Sequence, residues 1–206
     1  MIVAIDAAST DLSLALAEPD GTLVGDEAWS SAQRQSAELL PRLLQLLERS
    51  DTALADVTAL AVGTGPGSFT GLRVAMALAK GLAAGLGRPV VGVPTLAAWL
   101  EAEPDAAAAV ARAGAREAYL LVRGADEIRI VDRGELPSHP GPMVAAAELA
   151  ASFELADARP PRAAAVIATR AAGRLTGEPG GDDLRTLEPI YLRAPRGVAP
   201  AASGAG

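Results

Sequence analysis

The residues with the clearest chemical potential run from Gly63 to Arg73 and read Gly-Thr-Gly-Pro-Gly-Ser-Phe-Thr-Gly-Leu-Arg. Gly63, Gly65, Gly67 and Gly71 permit positive φ and a close approach of other groups to the backbone. The stretch follows a β-like apolar run, Val57 to Val62, and opens a helical one, Leu72 to Leu86, so it sits at a strand-to-helix turn. Thr70 is the expected N-cap. The free amides of that first turn, with the positive end of the helix dipole, suit an anion or a carboxylate. Asp6 closes the first apolar run of the chain, and Asp6, Gly65, Gly67, Ser68, Thr70 and Gly71 form the candidate nucleotide-binding set. The same loop also fits a plain tight turn. Neither familiar phosphate motif is present: G-x-G-x-x-x-G is one residue too long for the dinucleotide fingerprint, and Gly71 is followed by Leu72 and Arg73 rather than by Lys and Ser or Thr.

Asp6 has two readings. It stands where a ribonuclease-H-like nuclease puts its first metal carboxylate, with Glu38 as a second, but the fourth strand ends at Gly63, where a two-metal site wants another acid. Alternatively Asp6 is a turn residue that bonds the backbone around Ala8 and Ser9.

Composition narrows the chemistry. The chain has 206 residues, half of them hydrophobic, which is enough for one large domain or two small ones with a sizeable core. A net charge of -7 and a pI near 4.8 argue against a broad basic surface for nucleic acid. There is no cysteine, and thus no disulfide, thiolate zinc site or cysteine nucleophile. The single histidine, His139, lies between Pro137 and Pro140 in a loop-like segment, so a two-histidine metal site and a Ser-His-Asp peptidase are both disfavoured. Met-Ile-Val-Ala-Ile-Asp at the start reads as a strand rather than a signal peptide, and Lys80, Arg88 and Pro89 interrupt the apolar window from Val74 to Val93. A cytoplasmic protein without a membrane span is expected.

The elements that must position these residues follow from periodicity. Met1–Asp6, Leu12–Ala17 and Thr22–Ser30 read as three strands joined by tight turns. Ser36–Arg49 reads as a helix whose Leu39, Leu40, Leu43, Leu44, Leu46 and Leu47 make a stripe wider than one sheet contact requires. Val57–Val62 is a fourth strand, and the following helix carries Ala75, Ala77, Ala79, Gly81, Ala83, Ala84 and Gly85, a low surface that lets another helix approach closely. Val90–Val93 is a fifth strand, and Thr95 is expected to cap a third helix through Leu100. The order βββαβαβα is the pattern of a ribonuclease-H-like layer. Further on, Asp105 is expected to cap a short helix over Ala106–Ala109, with strands at Ala118–Val122 and Glu127–Asp132. A helix is expected over Val144–Leu155, a strand over Ala163–Ile167 and a Gly-rich break over Gly173–Asp183. The tail after Arg193 is expected to be disordered, and no internal repeat stands out.

Several stretches carry a resemblance. Met1–Asp6, Ser36-Ala-Glu-Leu-Leu-Pro41, Ala61–Arg73, Ala79-Lys-Gly-Leu82, Pro89-Val-Val-Gly-Val93 and the late Leu187-Glu-Pro-Ile-Tyr-Leu-Arg193 together look like the TsaB (YeaZ) family. The resemblance covers the first hundred residues well and the middle poorly. It implies an α/β, actin-like ATPase (ASKHA, ribonuclease-H-like) fold of two subdomains, each a mixed sheet flanked by helices, with the second shortened. Residues 1–103 would form the first subdomain, 104–193 the second and 194–206 a tail. It further implies a non-catalytic scaffold that pairs with a TsaD-type catalytic paralogue and a TsaE-type ATPase to place N6-threonylcarbamoyl on adenosine 37 of tRNAs reading ANN codons. ATP or ADP with Mg would sit at the interface of that complex, tRNA would be touched only indirectly, and the chain alone would form a homodimer. By the same resemblance the partner docks on the first two helices, through Leu39, Leu43, Leu46, Leu72, Met76, Ala79 and Ala83. The rival is a stand-alone small kinase or ATPase of the same fold that uses Asp6 and the glycine loop. Arg112-Ala-Gly-Ala-Arg-Glu-Ala-Tyr119 lacks the Asp that the family commonly carries before its Glu-Val-Tyr.

Overall fold

The computed structural model describes residues 1–31, 34–138, 140–177 and 180–192. Strands β1 (Ile2–Asp6), β2 (Asp11–Ala17) and β3 (Leu23–Ser30) lead into α1 (Gln35–Arg49). They are followed by β4 (Ala59–Gly63), α2 (Phe69–Leu86), β5 (Val90–Val93) and α3 (Thr95–Ala102). The first sheet has the order β3-β2-β1-β4-β5, antiparallel through β1, β2 and β3 and parallel through β1, β4 and β5. This is the βββαβαβα layer expected from the sequence.

The two faces of that sheet differ in residue size, and the period of two along each strand sets the difference. Val3, Ile5, Leu12, Leu14, Leu16, Leu60 and Val62 point one way, into a cluster with Leu39, Leu43, Leu46, Ala75, Met76 and Ala79 of α1 and α2. Ile2, Ala4, Ala15, Ala17, Ala59 and Ala61 point the other way. Bulky residues thus hold α1 and α2 off one face, and alanines let a helix lie close on the other.

That second helix comes from far along the chain. After α3 the chain forms β6 (Ala108–Arg112), β7 (Glu117–Val122), β8 (Arg129–Asp132), β9 (Met143–Ala145), α4 (Ala147–Phe153) and β10 (Ala158–Arg159). Finally α5 (Ala164–Gly177) returns to pack on β1, β2, β4 and β5 of the first sheet. Its inner stripe, Ala164, Ile167, Ala168, Ala171 and Ala172, has helical spacing and is fully buried.

The second sheet has the order β10-β9-β6-β7-β8. Read as β8-β7-β6-β9-β10 it repeats the first: three antiparallel strands, then two parallel ones beside the first of them. Two mixed sheets of matching connectivity, each flanked by helices, make the two-subdomain actin-like fold. The duplication is one of topology, which is why no repeat stood out in the sequence.

Several expected elements are corrected. Ala106–Ala109 is not a helix: β6 begins at Ala108, and its central position, buried on both faces, overrides the helix preference of alanine. Asp105 therefore caps nothing there. Val144–Leu155 divides into β9 and α4, and Ala163–Ile167 opens α5 instead of forming a strand. Gly173 and Gly177 are helical, and a Cβ at either would meet nothing within 4 Å, so the helix runs through them unhindered. His139 and the tail from 194 to 206 lie outside the described residues. By length and composition α2 is the one described helix long and apolar enough to cross a membrane; its inner face is committed to the sheet.

Close alanine packing predicts an asymmetry between two positions in α5. Ala168→Leu should lower stability by about 1–3 kcal/mol through overpacking, whereas Gly173→Ala should raise it by about 0.5–1 kcal/mol. Urea denaturation reads both, and an unchanged midpoint for Ala168→Leu would contradict the tight α5–sheet contact.

Candidate functional site

The glycine loop is shaped by the chain's own backbone. The amide of Ser68 donates to the carbonyl of Ala8 at 2.7 Å. A Cβ at Gly67 would collide with the Ala8 carbonyl oxygen, and one at Gly71 with that of Ala7. Gly65 sits at φ +93°, where L side chains are strained, and its N–H donates to the Thr95 hydroxyl at 2.9 Å while its carbonyl accepts from the Thr95 amide at 3.0 Å. The close approach expected at this loop is thus made by the β1–β2 turn. Ser68, not Thr70, is the N-cap of α2: its Oγ accepts from the Gly71 amide at 3.2 Å. Thr95 caps no helix with its side chain, because its hydroxyl is turned to Gly65.

Asp6 is buried, 1% exposed, at the end of β1. One carboxylate oxygen accepts the Trp99 indole N–H at 2.6 Å, and the other accepts the Ala8 amide at 3.2 Å. Burial dominates its electrostatics and pushes its pKa up to about 6, against the lowering effect of those two bonds. The residue is a turn-former tied to α3, and the described residues contain no group of three or more acidic or histidine side chains placed to hold a metal. Of the six expected nucleotide contacts, Asp6, Gly65 and Gly71 do not reach the cleft between the sheets, whereas Gly67, Ser68 and Thr70 line it.

This cleft, of about 1110 Å³, opens between the ends of the two sheets. The β1–β2 turn, the start of α2, Gln35 and Trp99 line one wall; Arg112, Arg116, Tyr119 and Glu148 line the other, and Tyr191 stands at its rim. Arg112 is already paired, donating to Glu148 at 2.9 Å and to Ser152 at 3.0 Å. Phe69 and Tyr191 pack with ring centroids 5.4 Å apart, and the Arg73 guanidinium lies 3.8 Å from the Phe69 ring centre while donating to the Tyr191 hydroxyl at 3.0 Å. Gln35, Arg112 and Tyr191 were not singled out from the sequence as site residues; their proximity comes from pairing of turns and helix ends that no local pattern shows.

The second candidate is a surface. α1 and α2 lie side by side on the bulky face of the first sheet. The residues expected at a partner interface, Leu39, Leu43, Leu46, Leu72, Met76, Ala79 and Ala83, are all buried, none more than 4% exposed; all but Leu72 lie in that core, and Leu72 packs in the cluster on the sheet's other face. At helical spacing, Leu39, Leu43, Leu46 and Leu47 form one buried stripe, and the excess leucines, Leu40 and Leu44, lie outside it at 40% and 45% exposure. On α2 the outward residues are Ala77, Gly81, Ala84 and Gly85, flanked by half-buried Val74, Leu78 and Leu82. A Cβ at Gly81 or Gly85 would meet nothing within 4 Å. Side-chain bonds to β3 fix the roll of α1: Trp29 donates to Glu38 at 3.0 Å, and Arg42 and Arg49 both pair with Glu27. Burial would raise the Glu27 pKa, but its bonds to the two arginines hold it below the usual range.

Comparison with known proteins gives a consistent result. A family model described as TsaD: tRNA N6-adenosine threonylcarbamoyltransferase matches residues 30–148. The chain is 43% identical to the tRNA threonylcarbamoyladenosine biosynthesis protein TsaB of Escherichia coli over 46% of its own length and 40% of that protein. The corresponding Bacillus subtilis protein is 35% identical over 46% of this chain and 41% of its own, so the chain spans less than half the length of these TsaB relatives. An uncharacterized protein of Mycobacterium tuberculosis is 33% identical over 94% of the chain and 92% of that protein. Among solved structures, YeaZ from Pseudomonas aeruginosa superposes with a TM-score of 0.68, at 23% identity, over 93% of this chain and 99% of that one.

Two outcomes check the internal roles. Gly67→Ala should destabilise by about 1–3 kcal/mol, because backbone must move to clear the Ala8 carbonyl; a denaturation midpoint equal to that of the unmutated chain would refute the contact. For Asp6, the folded pKa lies above the unfolded one, so its contribution is fully present below pH 3.8 and is lost as pH rises through about 6. The difference in stability between the unmutated chain and Asp6→Asn should shift by about 3 kcal/mol across that window. Parallel stability curves would contradict the buried carboxylate.

Proposed function

The chain belongs to the TsaB (YeaZ) family, and from that premise we propose that it is a non-catalytic subunit for threonylcarbamoylation of adenosine 37 in tRNAs reading ANN codons. In this reading it docks a TsaD-type catalytic paralogue and, with it, a TsaE-type ATPase, and it acts in the cytoplasm. The observation that carries the reading is the outward face of α1 and α2. Leu40 and Leu44 are exposed on α1, and Ala77, Gly81 and Gly85 are exposed on α2, where a Cβ at Gly81 or Gly85 would meet open space. Small residues at four-residue spacing admit a partner helix to close range, and the leucines and Leu78 supply apolar area around it.

The acidic balance of the chain supports indirect rather than direct contact with tRNA, since phosphate contacts draw on clustered Lys and Arg. The occupation of both Asp6 oxygens by Trp99 and Ala8 favours a scaffold over a stand-alone kinase. Without its partner the same face would pair with a second copy in an isologous contact.

Gly81→Leu separates this docking from folding. Removing a helix-interior glycine should leave the monomer at least as stable, while the new side chain stands in the way of a closely approaching partner helix. Gly81→Leu and Leu40→Asp should each weaken binding of the TsaD-type paralogue at least about tenfold in calorimetric titration, about 1.4 kcal/mol. Unchanged affinity in a folded Gly81→Leu variant would sink the assignment of this face.

A further inference from the structure

Arginines stacked on aromatic rings recur in this protein, and among the described residues all but one are completed by a carboxylate. Arg42 lies over Trp29 and pairs with Glu27, Arg112 lies over Phe153 and pairs with Glu148, and Arg133 lies over the same ring and pairs with Glu154. Arg73 is the exception. Its guanidinium carbon stands 3.8 Å from the Phe69 ring centre and 5.8 Å from that of Tyr191, and no carboxylate of the described residues pairs with it.

The one hydrogen bond that the Arg73 side chain makes there runs from Nε to the Tyr191 hydroxyl at 3.0 Å. Stacking fixes the plane of the guanidinium, and the Nε bond fixes its rotation within that plane. The Nη1 and Nη2 edge is thus left free in a set orientation, and such a fork matches the two oxygens of a carboxylate. An ordinary surface arginine gives up side-chain freedom to form that pair; here the ordering is already done within the chain.

The position of Arg73 indicates what carries the carboxylate. Arg73, Ala77, Gly81 and Gly85 follow one another at a spacing of four along α2, and all are exposed. Arg73 therefore stands at one end of the line of small residues, two turns or about 12 Å from Gly81 along the helix axis. A helix seated on that line passes Arg73. Its surroundings suit an interface rather than a solvated charge: Phe69 is 39% exposed, and Ile190 and Leu192, on either side of Tyr191 in the chain, are exposed as well. Aromatic residues and arginine are the types that anchor protein interfaces.

We propose that Arg73 is the charged anchor of the docking face. An Asp or Glu on the partner's contacting helix takes the free edge of the guanidinium in a two-pronged pair, while Phe69 stacks on its plane and Tyr191 acts as a positioning residue at Nε. The inference rests on the docking reading above and adds the chemistry of the partner to it. That partner presents a helix that is small-sided where it crosses Gly81 and acidic about two turns further toward the start of α2.

Calorimetric titration of the full chain with the TsaD-type paralogue, at low and at high salt, tests this. Arg73→Ala should weaken binding at least about tenfold at low salt and reduce its salt dependence. Arg73→Lys, which keeps the charge and loses the fork, should weaken it nearly as much, and Tyr191→Phe, which keeps the ring and frees Nε, about threefold. Arg73→Gln, which keeps the stem, is the second variant if Arg73→Ala misfolds. In double-mutant cycles between Arg73→Ala and alanine replacements of each Asp and Glu on the paralogue's helices, one carboxylate should cost nothing further once Arg73 is gone. Full affinity in a folded Arg73→Ala chain, with Gly81→Leu still weakening binding, overturns the anchor and leaves the docking face standing. Full affinity in both variants overturns the docking face and the anchor with it. An Arg73→Lys chain that binds like the unmutated one, or the absence of any coupled carboxylate, overturns the two-pronged pair.

Discussion

Two short backbone segments touch, and the remaining features are placed by that contact. Ala7 and Ala8, at the end of β1, lie against Gly67 and Gly71, at the start of α2, so closely that a single Cβ would meet a carbonyl oxygen. The contact fixes where α2 begins, and the sheet below fixes its roll. From these two constraints α2 presents three separate surfaces: a buried stripe on the sheet, an N-terminus at the cleft and an outward face of small residues. Asp6 reinforces the same corner from within, joining the β1–β2 turn to α3 through Ala8 and Trp99.

The size alternation along β1, β2 and β4 extends this order across the molecule. Alanines on one face admit α5 closely, and bulky aliphatics on the other support α1 and α2. Past α5 the chain closes the open edge of the first sheet. Asp182 pairs with Arg174 at 2.7 Å and accepts from the Gly92 amide at 2.6 Å, and the Ile190 amide donates to the Thr64 carbonyl at 2.7 Å. The late stretch resembling the family's closing motif is therefore a strap over the β5 edge and the flank of α2, where Lys80 donates to the Leu187 carbonyl at 3.0 Å.

The first hundred residues were legible because each strand and helix there has its own period and its own glycine or proline stops. The second half was less so, for a physical reason. Alanine-rich runs serve equally as central strands, as in β6, and as close-packed helices, as in α5, and the choice is made by what surrounds them. The glycine loop was correctly read as a place of close approach, but the approaching group is backbone from the same chain. The leucine helix showed its excess of apolar surface in sequence, while the division into inward Leu39, Leu43 and Leu46 and outward Leu40 and Leu44 needed the register of the sheet below. Gln35 gave no signal at all, since a glutamine at a helix start is ordinary until its burial is known.

The central proposal is that a partner seats on the outward face of α1 and α2. Hydrogen exchange of the chain, alone and mixed with the TsaD-type paralogue of the same cell, tests it most directly. The account predicts added protection concentrated in α1 and in the Ala77 to Gly85 part of α2, with the strands of the second sheet unchanged. Protection confined to the cleft or to the second sheet, or none at all, would contradict it.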